Sequence, residues 1–163
     1  DTVVKDSVLK LSKKYKIKIF QQTSSKNYEF LKDFYYKNEI ESELFDFNEE
    51  ISDFMSRSNI CITRAGASTL AELIYLNLPH IAIPLPTAKD NHQFENASFY
   101  QKIGCNWIIN QNEINNTNLL EHLFNIIKNK DEYLNKKKNM KNFSYQNTWN
   151  NINQKIISII DEN

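Results

Sequence analysis

The segment from Ile62 to Ala97 contains most of the side chains in this chain that could bind a ligand or take part in chemistry. Its pattern predicts a strand, a tight turn at Gly66, a helix, a second strand, a proline-rich loop and the polar first turn of another helix. Two helix N-termini then open at the carboxyl ends of two strands, which is where open α/β sheets bind their ligands. Because a helix N-terminus presents unpaired N–H groups and the positive end of its dipole, the expected ligand is an anion.

Glu72 adds a second kind of binding group close to the first of these N-termini. It lies one turn inside the predicted helix, on the same face as Ser68. A carboxylate accepts hydrogen bonds, so it can hold the hydroxyl groups of a neutral polyol such as ribose. A phosphate at the helix tip and a carboxylate for sugar hydroxyls together indicate a nucleotide-sugar site. The alternative is that Glu72 is an ordinary surface residue of a first helical turn.

The length and composition predict one domain over residues 1–163 with a sizeable core. The 20 basic and 20 acidic residues cancel, so no net charge favours nucleic acid as a partner. Cys61 and Cys105 lie in apolar, strand-like runs without metal-ligand spacing, which predicts buried reduced thiols and no metal site. There is no recognisable signal peptide and no apolar stretch near the roughly 18 residues of a membrane span, so a soluble, cytoplasmic domain is expected.

The apolar periodicity predicts an α/β fold in which strands and helices alternate. The predicted strands are 16–20, 43–47, 59–63, 80–84 and 106–109. The predicted helices are 1–15, 28–36, 49–58, 67–76, 91–103, 116–128, 131–143 and 148–160. Right-handed crossovers between successive strands then give a Rossmann-like parallel sheet flanked by helices.

Several residues are expected to begin or end these helices. Asn48 is a candidate N-cap for the helix 49–58. Asn77 stands where a left-handed residue ends a helix, and Gly104 stops the helix 91–103. The lysines of the helix 131–143 predict a solvated face, with a membrane or polyanion contact as the alternative. They are Lys136, Lys137, Lys138 and Lys141.

Four segments resemble the C-terminal, sugar-donor-binding domain of the family 28 glycosyltransferases of peptidoglycan synthesis, the MurG family. In chain order they are FDFNEEISDFMSRSNICIT, RAGASTLAEL, LPHIAIPLP and KDNHQFENA. The resemblance implies the C-terminal half of a GT-B fold. It also implies a hexosyltransferase that moves N-acetylglucosamine, with inversion, from UDP-N-acetylglucosamine to undecaprenyl-diphospho-N-acetylmuramoyl-pentapeptide (lipid I to lipid II). Such an enzyme is peripheral at the cytoplasmic face of the inner membrane.

The resemblance implies roles for individual residues. Asn48 matches the position whose main chain holds the uracil ring, and Glu72 matches the ribose-binding carboxylate. Gln93 matches the glutamine that binds hydroxyls of the transferred sugar, and His92 beside it is expected to orient the sugar donor, with a general base as the alternative. Backbone N–H groups next to the diphosphate or ribose are expected from the matching stretch. That stretch comprises Gly66, Ala67, Ser68, Thr69, Leu70 and Ala71.

Other polar residues in these segments have more than one interpretation. Ser68 or Thr69 could equally be an ordinary N-cap, and Asp90 or Asn91 could cap the next helix or contact the sugar. Arg64 is expected to form a salt bridge or a phosphate contact, and Asn96 to brace the loop. His80 and His122 are expected to be structural.

The chain opens in a predicted helix, whereas a Rossmann-like half begins with a strand and a glycine-rich loop. We therefore expect residues 1–163 to be a sugar-donor-binding domain that lacks this strand and loop. The N-terminal domain, which in the family binds the lipid-linked acceptor and carries the proposed catalytic base, is also expected to be absent.

No catalytic residue, metal or cofactor is expected within residues 1–163, and the fragment alone is expected to be inactive. A non-catalytic UDP-sugar-binding subunit that acts with a partner chain is one alternative. A related UDP-sugar hydrolase or glycolipid synthase is another, although the DNHQFENA segment fits these less well.

Overall fold

A computed structural model of the 163-residue chain describes residues 2–46, 51–146, 151–154 and 157–158. The chain divides into two compact units, where the sequence predicts a single domain. Unit 1 comprises Asp1–Ser58 and Ile109–Asn129, and unit 2 comprises Asn59–Ile108 and Lys130–Asn163.

The described residues of unit 1 form two parallel strands and four helices. The strands are β1 (Lys18–Gln22) and β2 (Glu41–Phe45), and the helices are α1 (Thr2–Ser12), α2 (Ser25–Lys37), α3 (Ile51–Ser56) and α6 (Asn116–Lys128). β1 pairs with β2 in parallel, and α1 packs against α6. The core centres on the buried side chains Val8, Leu31, Tyr35 and Ile40.

Unit 2 carries the motifs picked out by the sequence, and its described residues up to Gln146 form three parallel strands and three helices. The strands are β3 (Cys61–Thr63), β4 (His80–Ala82) and β5 (Asn106–Ile108), paired in the order β3-β4-β5. The helices are α4 (Ala67–Tyr75), α5 (His92–Lys102) and α7 (Lys130–Gln146), with a 3₁₀ turn at Lys89–Asn91. α4 packs against both α5 and α7.

The predicted parallel α/β fold is confirmed, but the described strands form two sheets where the sequence predicts one. The first strand lies at Lys18–Gln22 and not at 16–20, and the second at Glu41–Phe45 and not at 43–47. β2 begins earlier than predicted because α2 ends directly before it: the N–H of the preceding residue, Ile40, donates to Tyr35 O at the end of α2. Alternating apolar residues mark an extended segment, but the pairing partner sets where the ladder begins. The Asn48 cap lies outside the described residues, as does most of the helix 148–160, of which 151–154 are helical.

Three helices end in the same backbone motif before the chain enters a strand. At the end of α4, the Asn77 N–H donates to Ile74 O and the Leu78 N–H donates to Leu73 O. Asn77 has φ 57°, so these bonds form the Schellman motif that closes the last carbonyl groups of a helix. The expected left-handed end at Asn77 is confirmed.

Equivalent bonds close α2 around Glu39, which has φ 54°, and α5 around Gly104, which has φ 74°. The residue after each left-handed position is buried: Ile40, Leu78 and Cys105. An apolar residue directly after the cap therefore directs the chain into the next strand, and the expected stop at Gly104 is confirmed.

The predicted solvated lysine face is wrong at Lys136. Its side chain is 12% exposed and its Nζ donates to Asn106 O at 2.8 Å. The ammonium also lies 4.5 Å from the centroid of the Trp107 ring, a favourable cation–π distance. Burial lowers the pKa of Lys136, and these contacts offset part of that desolvation. Lys138 and Lys141 are exposed, as expected.

Both cysteines are free thiols, as the sequence predicts. Cys105 is fully buried, whereas Cys61 is partly exposed. Burial raises the pKa of Cys61 to about 12 and that of Cys105 to about 11, so both thiols are protonated at neutral pH.

The two glycines of the chain should respond differently to alanine. A Cβ at Gly104 would lie 2.5 Å from Asn139 Nδ2, and φ there is 74°. Gly104→Ala should therefore lower the free energy of unfolding by roughly 1–2 kcal/mol, the cost of a left-handed non-glycine residue. At Gly66, φ is −66° and the nearest atom to a new Cβ is Thr69 Oγ1 at 3.9 Å. Gly66→Ala should leave the free energy unchanged or slightly raised. Urea denaturation measures both, and equal losses would contradict this assignment.

His80 should make the protein less stable in acid. Burial lowers its pKa from 6.5 to about 4, so the unfolded chain binds a proton at a higher pH than the folded chain does. The stabilisation is full above pH 6.5 and is lost as the pH falls towards 4, by up to about 3 kcal/mol. Urea denaturation at several pH values measures the free energy of unfolding. Its dependence on pH in this window should be shallower for His80→Gln than for the unaltered chain. A pH dependence of His80→Gln equal to that of the unaltered chain would contradict this assignment.

Candidate functional site

The N-terminus of α4 is open. Gly66 is the N-cap residue, in an extended conformation, and no side chain caps the helix. The first bond inside the helix runs from the Leu70 N–H to Gly66 O at 3.0 Å. The preceding N–H groups, from Gly66 to Thr69, therefore have no partner within the helix. Because no acidic residue occupies the first turn, this end of α4 is suited to an anion.

This geometry decides two of the alternatives from the sequence. Ser68 and Thr69 do not cap α4, because they lie inside the helix after the N-cap Gly66. Leu70 cannot offer its N–H to a ligand, because that group donates to Gly66 O, and its side chain is fully buried. Gly66 is not needed for the turn itself, since its φ is ordinary and a Cβ would have space.

The remaining predicted residues of α4 are accessible from solvent. Ala67, Ser68, Ala71 and Glu72 are exposed, and Gly66 and Thr69 are partly exposed. Glu72 follows Ser68 by one turn on the same face. Within the described part of the chain its carboxylate has no hydrogen bond or ion pair, so both of its oxygens can accept from a ligand.

Gln93, in the first turn of α5, is oriented by the backbone of the loop after β4. The Leu85 N–H donates to Gln93 Oε1 at 3.0 Å. Since an N–H group needs an acceptor, this bond fixes which end of the amide is the oxygen. The oxygen faces the protein, and the NH₂ group is left to donate to a ligand. Leu85 was missed by the sequence analysis, because it acts through its main chain and its side-chain type carries no signal.

His92 is exposed and is also held by the loop. Its Nδ1 lies 2.6 Å from Lys89 O. A carbonyl oxygen only accepts, so Nδ1 carries the hydrogen and Nε2 of the neutral ring is an acceptor. Asp90 and Asn91, between these two residues, have φ of 51° and 55°. Two successive left-handed residues other than glycine are costly, and they occur where the surrounding bonds determine the loop.

The start of α5 has no side-chain cap. Asn91 is the N-cap residue by position, but its side chain makes no capping bond. Of the two interpretations of Asn91, side-chain capping is therefore wrong, and contact with a ligand remains a prediction.

Two further side chains connect the turn at Gly66 with its neighbours. Asn96 Nδ2 donates to Ala65 O at 3.1 Å, so Asn96 braces the β3–α4 turn, whereas the sequence predicts a brace of the loop before its own helix. Arg64 Nη1 donates to Ile83 O at 3.2 Å, at the end of β4. Together with the Leu85–Gln93 bond, these contacts join the β3–α4 turn, the end of β4 and the first turns of α5.

The other candidates contribute less to the site. Asn48 lies outside the described residues. His80 is fully buried and its Nδ1 contacts Leu78 O at 3.2 Å, consistent with its expected structural role. No group of three or more metal-ligating side chains occurs among the described residues. In the same part of the chain, no helix is long and apolar enough to cross a membrane.

A parallel α/β fold with an open helix N-terminus beside a second polar helix start is typical of α/β domains that bind nucleotides. Residues 1–152 match the glycosyltransferase family 28 C-terminal domain, and the chain belongs to this family. A solved structure of Acinetobacter baumannii MurG has the same fold, with a TM-score of 0.73 and 24% identity. That match covers 85% of this chain and 40% of the solved one.

Two relatives share the name UDP-N-acetylglucosamine--N-acetylmuramyl-(pentapeptide) pyrophosphoryl-undecaprenol N-acetylglucosamine transferase. The protein of Pelagibacter ubique (strain HTCC1062) is 60% identical over 163 residues, which is all of this chain and 46% of the relative. The protein of Rickettsia bellii (strain RML369-C) is 37% identical over 125 residues, or 77% of this chain and 35% of the relative. The chain thus spans less than half the length of these relatives.

Proposed function

We propose that this chain is the UDP-N-acetylglucosamine-binding part of an inverting hexosyltransferase of peptidoglycan synthesis. The whole enzyme transfers N-acetylglucosamine to undecaprenyl-diphospho-N-acetylmuramoyl-pentapeptide, converting lipid I to lipid II. The family and the relatives' name support this substrate. The observation that carries the proposal is the uncapped N-terminus of α4, with the exposed Glu72 carboxylate one turn further along the helix.

The open end of α4 suits the departure of UDP. When the bond between the sugar and the β-phosphate breaks, negative charge develops on the diphosphate. N–H groups already fixed in direction, together with the helix dipole, stabilise that charge without reorganising during the reaction. These N–H groups are the four that lie before Leu70 and have no partner within the helix. They belong to Gly66, Ala67, Ser68 and Thr69.

Recognition of the nucleoside and the sugar falls to other groups. The Glu72 carboxylate accepts hydrogen bonds from the ribose hydroxyls. For the uracil ring, the family resemblance points to the main chain of Asn48, which lies outside the described residues. Gln93 offers NH₂ hydrogens and His92 offers the Nε2 lone pair to the transferred sugar. A sugar hydroxyl both donates and accepts, so this pair of groups is complementary to hydroxyls of the sugar.

The acceptor side belongs to the part of the relatives that this chain does not match. We place there the binding of the lipid-linked acceptor, the base that deprotonates its hydroxyl, and the contact with the cytoplasmic face of the inner membrane. In a direct displacement the matched part holds the leaving group, and the unmatched part delivers the nucleophile.

Glu72 and Gln93 should have separable effects in the full-length protein. Glu72→Ala should weaken UDP and UDP-N-acetylglucosamine alike, because both contain ribose. The expected loss is about 10- to 150-fold, from roughly 1.5–3 kcal/mol for a charge-assisted hydrogen bond. Gln93→Ala should weaken only the sugar nucleotide. Calorimetric titration with both ligands measures the contrast, and equal weakening of UDP by Gln93→Ala would refute the assignment of Gln93 to the sugar.

Gln93→Glu tests the amide orientation more sharply than alanine does. A carboxylate can still accept from the Leu85 N–H, so the loop should keep its shape, but it has no hydrogen to donate. We expect this variant to bind the sugar nucleotide at least as weakly as Gln93→Ala while binding UDP normally. Affinity for UDP-N-acetylglucosamine equal to that of the unaltered protein would show that Gln93 does not donate to the sugar.

A further inference from the structure

We propose that Asn96 is a positioning residue that fixes the direction of the Gly66 N–H at the anion-binding end of α4. Asn96 touches no part of the proposed ligand. It acts through one peptide group, which lies between Ala65 and Gly66. The consequence for ligand affinity rests on the proposed function, whereas the effect on the peptide group does not.

The geometry of the peptide bond couples the Ala65 oxygen to the Gly66 N–H. The Ala65 carbonyl and the Gly66 N–H belong to one planar trans unit, so they point in opposite directions. Asn96 Nδ2 donates to Ala65 O at 3.1 Å. Holding the oxygen towards α5 therefore holds the Gly66 N–H facing away from α5.

Without this bond, the peptide group has few other restraints. Its rotation changes ψ of Ala65 and φ of Gly66, and glycine tolerates a wide range of φ. A Cβ at Gly66 would meet only Thr69 Oγ1, at 3.9 Å, so the local packing leaves space. The Gly66 carbonyl is tied to the helix by the Leu70 N–H, but within the described residues no bond holds the Gly66 N–H.

The orientation of this unit matters to an anion. When the Ala65 oxygen accepts from Asn96, the Gly66 N–H can donate to an anion together with the free N–H groups of the first turn of α4. In the reversed orientation, the partial negative charge of the Ala65 oxygen would take its place. Asn96 also lies on α5, one turn after Gln93. The helix with the proposed sugar contact therefore also provides the bond that orients the peptide group in the β3–α4 turn.

A matched control exists in the same unit. Asn139, on α7, also donates its Nδ2 to a backbone carbonyl, that of Gly104, at 3.2 Å. Asn96→Leu and Asn139→Leu each remove one such donor without adding charge, and each keeps the number and branching of the side-chain heavy atoms. A purely structural role for Asn96 predicts that the two variants behave alike.

The direct readout is the amide signal of Gly66. Segmental labelling of the full-length protein that restricts ¹⁵N-glycine to these residues gives two backbone signals, because the chain contains only Gly66 and Gly104. Without ligand, Asn96→Leu should shift or broaden the Gly66 signal relative to Gly104. Asn139→Leu should leave the Gly66 signal unchanged, because its carbonyl partner belongs to the peptide group between Gly104 and Cys105. If Asn96→Leu does not fold, Asn96→Ala gives the same comparison with less crowding.

Titration with UDP then tests the functional consequence. Asn96→Leu should lower UDP affinity roughly tenfold, the loss of one N–H contact to a charged group, and Asn139→Leu should not lower it. An unchanged Gly66 signal, or equal UDP affinity in the two variants, overturns the proposal. If the unaltered protein does not bind UDP, the proposed function fails, and the ligand-free Gly66 signal still decides whether Asn96 holds the peptide group.

Discussion

The backbone groups at the ends of helices need hydrogen-bond partners, and this requirement shapes both the fold and the candidate site. The chain closes its own groups at the C-termini of α2, α4 and α5, where Schellman bonds tie the last carbonyls to the residues that enter the next strands. It also closes the N-terminus of α6, where the Asn115 side chain accepts from the N–H groups of Thr117 and Asn118. The N-termini of α2, α4 and α5 have no such side-chain partner, and those of α4 and α5 lie in the family motifs. A helix end that the protein does not close is one that a ligand can close.

Three polar side chains on α5 share a second feature, which is that one end of each is bound to the backbone. Gln93 receives the Leu85 N–H, His92 contacts Lys89 O, and Asn96 donates to Ala65 O. Each bond fixes a rotamer and decides whether the free end of the side chain donates or accepts. A ligand then meets groups that are already oriented, so less conformational entropy is lost on binding.

At the amino ends of the same strands, perturbed pKa values have a structural origin. Cys61, His80 and Asn106 stand opposite one another in the parallel register. Burial raises the pKa of the Cys61 thiol and lowers that of His80, so both side chains are neutral when folded at neutral pH. Lys136 brings a charge to this region, with Asn106 O and the Trp107 ring as its partners. A shifted pKa therefore marks burial here and not catalysis, although such shifts also occur at active sites.

The sequence by itself determined the alternation of strands and helices, the helix ends at Asn77 and Gly104, and the family motifs that contain Gly66, Glu72 and Gln93. These features are local. Apolar periodicity, the tolerance of Asn and Gly for a left-handed backbone, and motif spacing are all properties of neighbouring residues. Only the tertiary structure decided the starts of β1 and β2, the burial of Lys136, and the bonds from Leu85 to Gln93 and from Asn96 to Ala65. Each of these depends on a partner distant in the chain or on a main-chain group. Backbone N–H and C=O groups are nearly the same in every residue, so residue type cannot show which of them is free for a ligand.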